Sequence, residues 1–143
     1  MPSAANEVTI AAPPSDVFCF LAERENDLKW RQGIIELKHT SGSGVGARYT
    51  QIVRGPGGRG IPADIEITEL DPERTIAFRA TAGPVRPRGR YLLTAAQGGT
   101  RVRFELDADL RGLKRLMAPM VQRTMDAEVS RLDALKQTIE AAL

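Results

Sequence analysis

The sequence predicts an α+β domain: a seven-stranded antiparallel sheet wrapped around a long C-terminal helix, with two short helices after the first strand. Three observations carry this. Strand-like segments follow one another between glycine-rich and proline-rich breaks, the stretch from Gly112 onward repeats apolar residues at helical spacing, and a polar run, EREND, interrupts the helical phrase after the first strand. With 143 residues, one hydrophobic core is expected, and residues 1–143 read as a single domain.

NEVTIAA alternates around Val8 and Ile10 and reads as the first strand. Ser15 offers an N-cap, Asp16 places negative charge in the first turn, and Val17, Phe20 and Leu21 share one face, which predicts a first helix. After EREND, Asn26 or Asp27 starts a second short helix whose apolar side is Leu28 and Trp30. Six further strands follow: IIELKH, ARYTQIVR, IPADIEITEL, TIAFRAT, RYLLTA and TRVRFELDA. Their short links imply a meander. Period-two reading turns Tyr49, Val53, Ile65, Ile67, Ile76, Phe78, Tyr91, Leu93, Val102, Phe104 and Leu106 inward, and sends Arg79 and Arg90 outward. In the closing helix, Met117, Val121, Met125, Leu132, Leu135 and Ile139 fall on one arc, and Pro119 is expected to kink its first third.

Composition narrows the function classes. Hydrophobic residues make up 42% and charged residues 27%, the balance of a soluble globular protein. No apolar run reaches the roughly 20 residues that cross a bilayer, and MPSAANEVTI lacks the basic and apolar regions of an export signal. A cytoplasmic protein without stable membrane insertion is expected. Cys19 and His39 are each alone of their kind, which leaves no internal disulfide and no Cys/His zinc site. No metal and no cofactor are expected. Cys19, on an apolar helix, reads as a small hydrophobe or as a reactive thiol. No nucleotide-binding or nucleophile-elbow motif is present, and His39 has no partners for a triad.

The order of strand, two short helices, meander and long helix resembles the helix-grip fold of the START-like (SRPBCC, Bet v 1-like) superfamily, and within it the polyketide cyclase/dehydrase-like group. The segments that carry the resemblance are EVTIAAPPSDVFCFLAE with Trp30, ITELDPERTIAFR, GGTRVRFELD and LDALKQTIE. Together they span essentially the whole chain. The resemblance implies a hydrophobic cavity between the concave sheet and the long helix, with Trp30, Tyr49, Gln51, Ile65, Ile67, Phe78, Tyr91, Phe104, Met117, Val121, Met125 and Glu128 as ligand-binding candidates. Trp30 either lines that cavity or simply fills core volume.

Two features fit chemistry as well as structure. Meander parity brings the links RGPGGRGIP and AGPVRPRGR and the exit DLRGLKR to one end of the sheet. There Arg54, Arg59, Arg86, Arg88, Arg111, Lys114 and Arg115 form either a rim for an anionic head group or a solvated surface. Nucleic acid is not expected, because the patch lacks interleaved aromatics. Glu128 falls inside the apolar arc, where a carboxylate needs a donor, water or a proton, with Tyr49, Gln51 and Tyr91 as candidate donors. Alternatively the helix rotates it to an edge. The leading reading is a small protein holding a hydrophobic ligand such as a lipid or polyketide, with or without an anionic end. The alternative is a polyketide aromatase/cyclase or dehydrase using Glu128 with Tyr49 or Tyr91, its catalytic residues otherwise unknown, and a protein-interaction module is a third class. Oligomeric state is not readable from the sequence.

Overall fold

The computed structural model describes residues 2–142, and at Pro56 the backbone only. The first strand, β1 (Ser3–Ile10), leads into α1 (Pro14–Ala22) and a 3₁₀ turn over Arg24–Lys29. The meander comprises β2 (Ile34–Ser41), β3 (Arg48–Arg54), β4 (Gly60–Pro62), β5 (Ile65–Asp71), β6 (Thr75–Ala80), β7 (Arg88–Ala96) and β8 (Gly99–Asp107). A second 3₁₀ turn, Gly112–Met117, precedes the C-terminal helices α2 (Ala118–Val129) and α3 (Leu132–Ala141). The sheet runs β1-β8-β7-β6-β5-β3-β2 with β4 paired to β3, and every pairing is antiparallel.

The architecture is the expected one, with five local differences. IPADIEITEL forms two strands, because the Asp64 carboxylate accepts from the Gln51 backbone N–H at 3.1 Å where a continuous ladder would place a backbone oxygen. The first helix starts at Pro14 with Pro13 as its cap, so Ser15 is not the cap. Pro119 does not kink a helix: it occupies the opening turn of α2, where its missing N–H has no intrahelical role. The C-terminal helix bends instead at Ser130–Arg131, between α2 and α3. Cys19 lies on the exposed side of α1 and fills no core volume.

Alternation along the strands decides which face is buried. Ile76, Tyr91, Leu93, Val102, Phe104 and Leu106 pack with Val17 and Leu21 of α1, Val121, Met125 and Val129 of α2, and Leu132, Leu135 and Ile139 of α3 in the main apolar cluster. Leu37, Ala47, Tyr49, Ile65 and Ile67 form a second cluster beneath β2, β3 and β5. Phe78 and Leu70 pack against both. Register shifts in β2 and β5 mark the bulges that bend the sheet.

The C-terminal helices are stitched to the edge strand β1, which pairs with β8 alone. Gln122 bonds the Ser3 backbone in both directions, the Asn6 amide donates to the Val129 carbonyl at the helix bend (2.9 Å), Lys136 donates to Thr9 O (2.8 Å), and Glu140 accepts from the Ala11 N–H (2.7 Å). The β1 edge of the sheet is thereby covered by the helices it supports.

Candidate functional site

The site begins with the 3₁₀ turn at Arg24–Lys29. A 3₁₀ helix repeats every three residues, so side chains at i and i+3 eclipse. Arg24, Asp27 and Trp30 consequently line up, and all three are buried, at 0%, 1% and 3% exposure. The run EREND therefore turns Arg24 and Asp27 inward while Glu23 and Glu25 stay exposed, and Leu28, expected on the apolar side, is 50% exposed. Asn26 also turns inward and donates to Phe20 O at 3.0 Å.

Arg24 reaches under the sheet. Its guanidinium lies 5.3 Å from the Tyr91 ring centroid and 5.6 Å from that of Phe78, donates to Leu21 O at 2.9 Å, and pairs with Asp27. Below it, Tyr91 and Phe104 stack with centroids 4.3 Å apart, and Phe78 lies 6.3 Å and 6.4 Å from them. Gly89 opens the space for this arrangement: a Cβ there would sit 2.4 Å from the Phe78 ring.

A chain of ion pairs leads outward from Asp27. Its second guanidinium partner is Arg31, at 3.0 Å; Arg31 also donates to Gln51 Oε1 (3.2 Å) and Glu128 (3.2 Å), and Glu128 accepts from Arg131 at 3.0 Å. Three guanidiniums thus face two carboxylates. Burial disfavours the charge on Arg31, but Glu128 and Asp27 outweigh it and hold the guanidinium above the ordinary arginine range. Arg24 is raised in the same way, burial opposing and Asp27 prevailing. Burial first, and the negative charge of Asp27 second, push the Tyr91 phenol up to about 12, so it is a neutral hydrogen-bond donor at physiological pH.

Among the described residues, four buried polar atoms in this region have no hydrogen-bond partner of good geometry: Arg24 Nε, Asp27 Oδ1, Trp30 Nε1 and the Tyr91 hydroxyl, the last beside the Arg24 guanidinium, which partly offsets the upward push of burial on the phenol. Three can donate, one accepts, and they belong to side chains at most 3% exposed. Buried polar atoms are ordinarily satisfied, and these four are exceptions within one region.

Of the residues nominated from sequence, Trp30, Phe78, Tyr91, Phe104, Met117, Val121 and Met125 come together in the main cluster. Tyr49, Ile65 and Ile67 lie in the second cluster, where Tyr49 faces His39 with ring centroids 5.0 Å apart. Gln51 is buried and joins Arg31 to Ala63 O. Glu128 sits at the cluster's edge, its side chain 16% exposed, and its donors are Arg31 and Arg131 in place of Tyr49 or Tyr91. Arg24, Asp27, Arg31 and Arg131 were not among the nominated residues. For Arg24 and Asp27 the signal was available in the 24, 27, 30 spacing, but only for a helix of period three.

A surface depression lies elsewhere. About 870 Å³ in volume, it occupies the opposite face of the sheet, floored by Ala5 and Ala77 and walled by Arg79, Arg88, Arg90, Arg103, Glu105 and Asp107. Those cations already have partners: Arg79 with Glu66, Arg90 and Arg103 with Glu105, and Arg88 with Asp107. It is an ion-paired outer surface, ill suited to an apolar molecule.

The model of one family, described as polyketide cyclase / dehydrase and lipid transport, matches residues 1–140. The chain belongs to that family. Among solved structures, TTHA0849 from Thermus thermophilus is similar over 99% of both chains, at 24% identity and a TM-score of 0.83. A START superfamily protein from Mycobacterium smegmatis is 15% identical over 99% of both, with a TM-score of 0.78. The di-domain ARO/CYC BexL from the BE-7585A biosynthetic pathway is 21% identical, with a TM-score of 0.78, over 98% of this chain and 47% of its own. These likenesses show the helix-grip α+β fold. Comparison with curated proteins gives no match. Among the described residues, no helix is long and apolar enough to cross a membrane.

Proposed function

We propose that this polyketide cyclase/dehydrase-family protein binds an apolar small molecule between the sheet and α2, with an oxygen-bearing end of the ligand at Arg24, Trp30 and Tyr91. The observation that carries the reading is the set of four buried, unpartnered polar atoms beside the Phe78, Tyr91 and Phe104 rings. A carbonyl or carboxylate oxygen would accept from the Arg24 Nε–H, the indole N–H and the phenol, while a hydroxyl could also donate to Asp27. Apolar contact would supply most of the affinity and the polar groups the orientation. Lipids and polyketides both have this chemistry.

The test is native mass spectrometry of gently purified protein, followed by fluorescence titration with the apolar anion 1-anilinonaphthalene-8-sulfonate. A retained apolar molecule, or saturable probe binding weakened roughly threefold to tenfold by Trp30→Phe, is expected. No retained molecule and no saturable binding would sink the proposal. A cyclase or dehydrase reading draws on the same donors, since a neutral phenol beside an arginine can polarise a ligand carbonyl. Turnover of a poly-β-ketone substrate, lost in Tyr91→Phe, would favour that reading over simple binding.

A further inference from the structure

The exit from β8 combines exposed apolar side chains with positive charge. Leu113 and Leu116, in the 3₁₀ turn Gly112–Met117, are 86% and 83% exposed, and Met120, one turn further on, is 44% exposed. The three-residue repeat puts the two leucines on one side, while Met117 packs against the main cluster and anchors the turn. Between Leu110 and Met125 the chain carries Arg111, Lys114, Arg115 and Arg123 and no acidic residue. Among the described residues Lys114, Arg115 and Arg123 make no ion pair, and Arg111 pairs only with Asp109. The same end of the sheet bears Arg59 and Arg86 on the links that follow β3 and β6, and Thr81 N, at the exit from β6, donates to Asp64 O between β4 and β5 at 2.6 Å.

We propose that Leu113, Leu116 and Met120 form an interfacial anchor that docks the folded protein reversibly on an anionic phospholipid surface. Apolar side chains ringed by cations suit the boundary between acyl chains and acidic head groups, where leucines insert and Lys114, Arg115 and Arg123 remain with the phosphates. A specific protein partner would need roughly 20 to 30 residues a side, far more than this single turn offers. A second copy of the chain, meeting this face two-fold, would bring like charges together. The anchor stands on the surface alone and does not require the interior ligand.

Sedimentation with phosphatidylcholine vesicles, with and without phosphatidylglycerol, tests it on the full chain. The expected result is salt-sensitive binding only to the phosphatidylglycerol vesicles. Leu113→Ser with Leu116→Ser, and separately Lys114→Gln with Arg115→Gln, should each weaken it at least about tenfold. Melting temperatures should not change, because these side chains are exposed. Failure of the wild type to bind, or undiminished binding by the leucine variant, would overturn the anchor. Self-association abolished by the leucine changes would overturn it too, assigning the stripe to a second copy. Probe titration without vesicles reads the interior site separately.

Discussion

Tyr91 shows how a single buried group sets a pH limit. Its phenol ionises near 10 in an unfolded chain and near 12 in the folded one, with burial the leading cause and Asp27 the next. Below about pH 10 both states keep the proton and stability is unaffected. Between about 10 and 12 the unfolded state releases a proton that the folded state retains, so stability falls as pH rises, by on the order of 2 kcal/mol across the window. Denaturant titrations at several alkaline pH values should therefore show a slope that Tyr91→Phe reduces. Some slope should persist, because Tyr49 is also raised, by burial and then by Glu25. An identical slope in the variant would mean that Tyr91 is reached by water.

At the scale of elements, Glu128 ties the 3₁₀ turn to both C-terminal helices through Arg31 and Arg131. The Arg131 guanidinium lies where a Cβ on Gly33 would come within 2.8 Å of it, so the bend between α2 and α3 is seated on the chain leading into β2. Replacing Glu128 with leucine removes the acceptor shared by two partly buried guanidiniums, and a destabilisation of about 1 to 3 kcal/mol is expected by urea denaturation. Glu128→Gln keeps an acceptor and should cost less. A gain in stability with leucine would show that Asp27 and Gln51 satisfy Arg31 without help. The same residues explain what the sequence could and could not disclose. Strand facing was legible because period two holds wherever one face of a sheet is covered, as Ile76, Tyr91 and Phe104 show. The turn was not, because residues 24–29 adopt a period of three and bury charge, which hydropathy assigns to solvent. Pro119 was misplaced for a related reason: a proline is compatible with a helix start as well as with a kink, and only the contacts of the preceding turn decide.

For the molecule as a whole, the unpartnered atoms around Tyr91 place stability and binding in opposition. An unsatisfied buried hydroxyl destabilises the empty protein by about 1 to 3 kcal/mol, so Tyr91→Phe should raise the melting temperature of the ligand-free protein at neutral pH by a few degrees. A ligand that supplies the missing acceptor reverses the balance. At a hundredfold excess over its Kd, binding adds about 2.7 kcal/mol to the folded state, a rise of roughly 10 °C for a chain of this size. With a long-chain fatty acid as probe, the wild type should show that rise and Tyr91→Phe a smaller one, so that the two proteins converge or exchange order as ligand is added. Arg90→Gln, on the opposite face of the sheet, should leave the rise intact. If Arg90→Gln reduces it and Tyr91→Phe does not, the molecule is held in the outer trough and the interior is only a core.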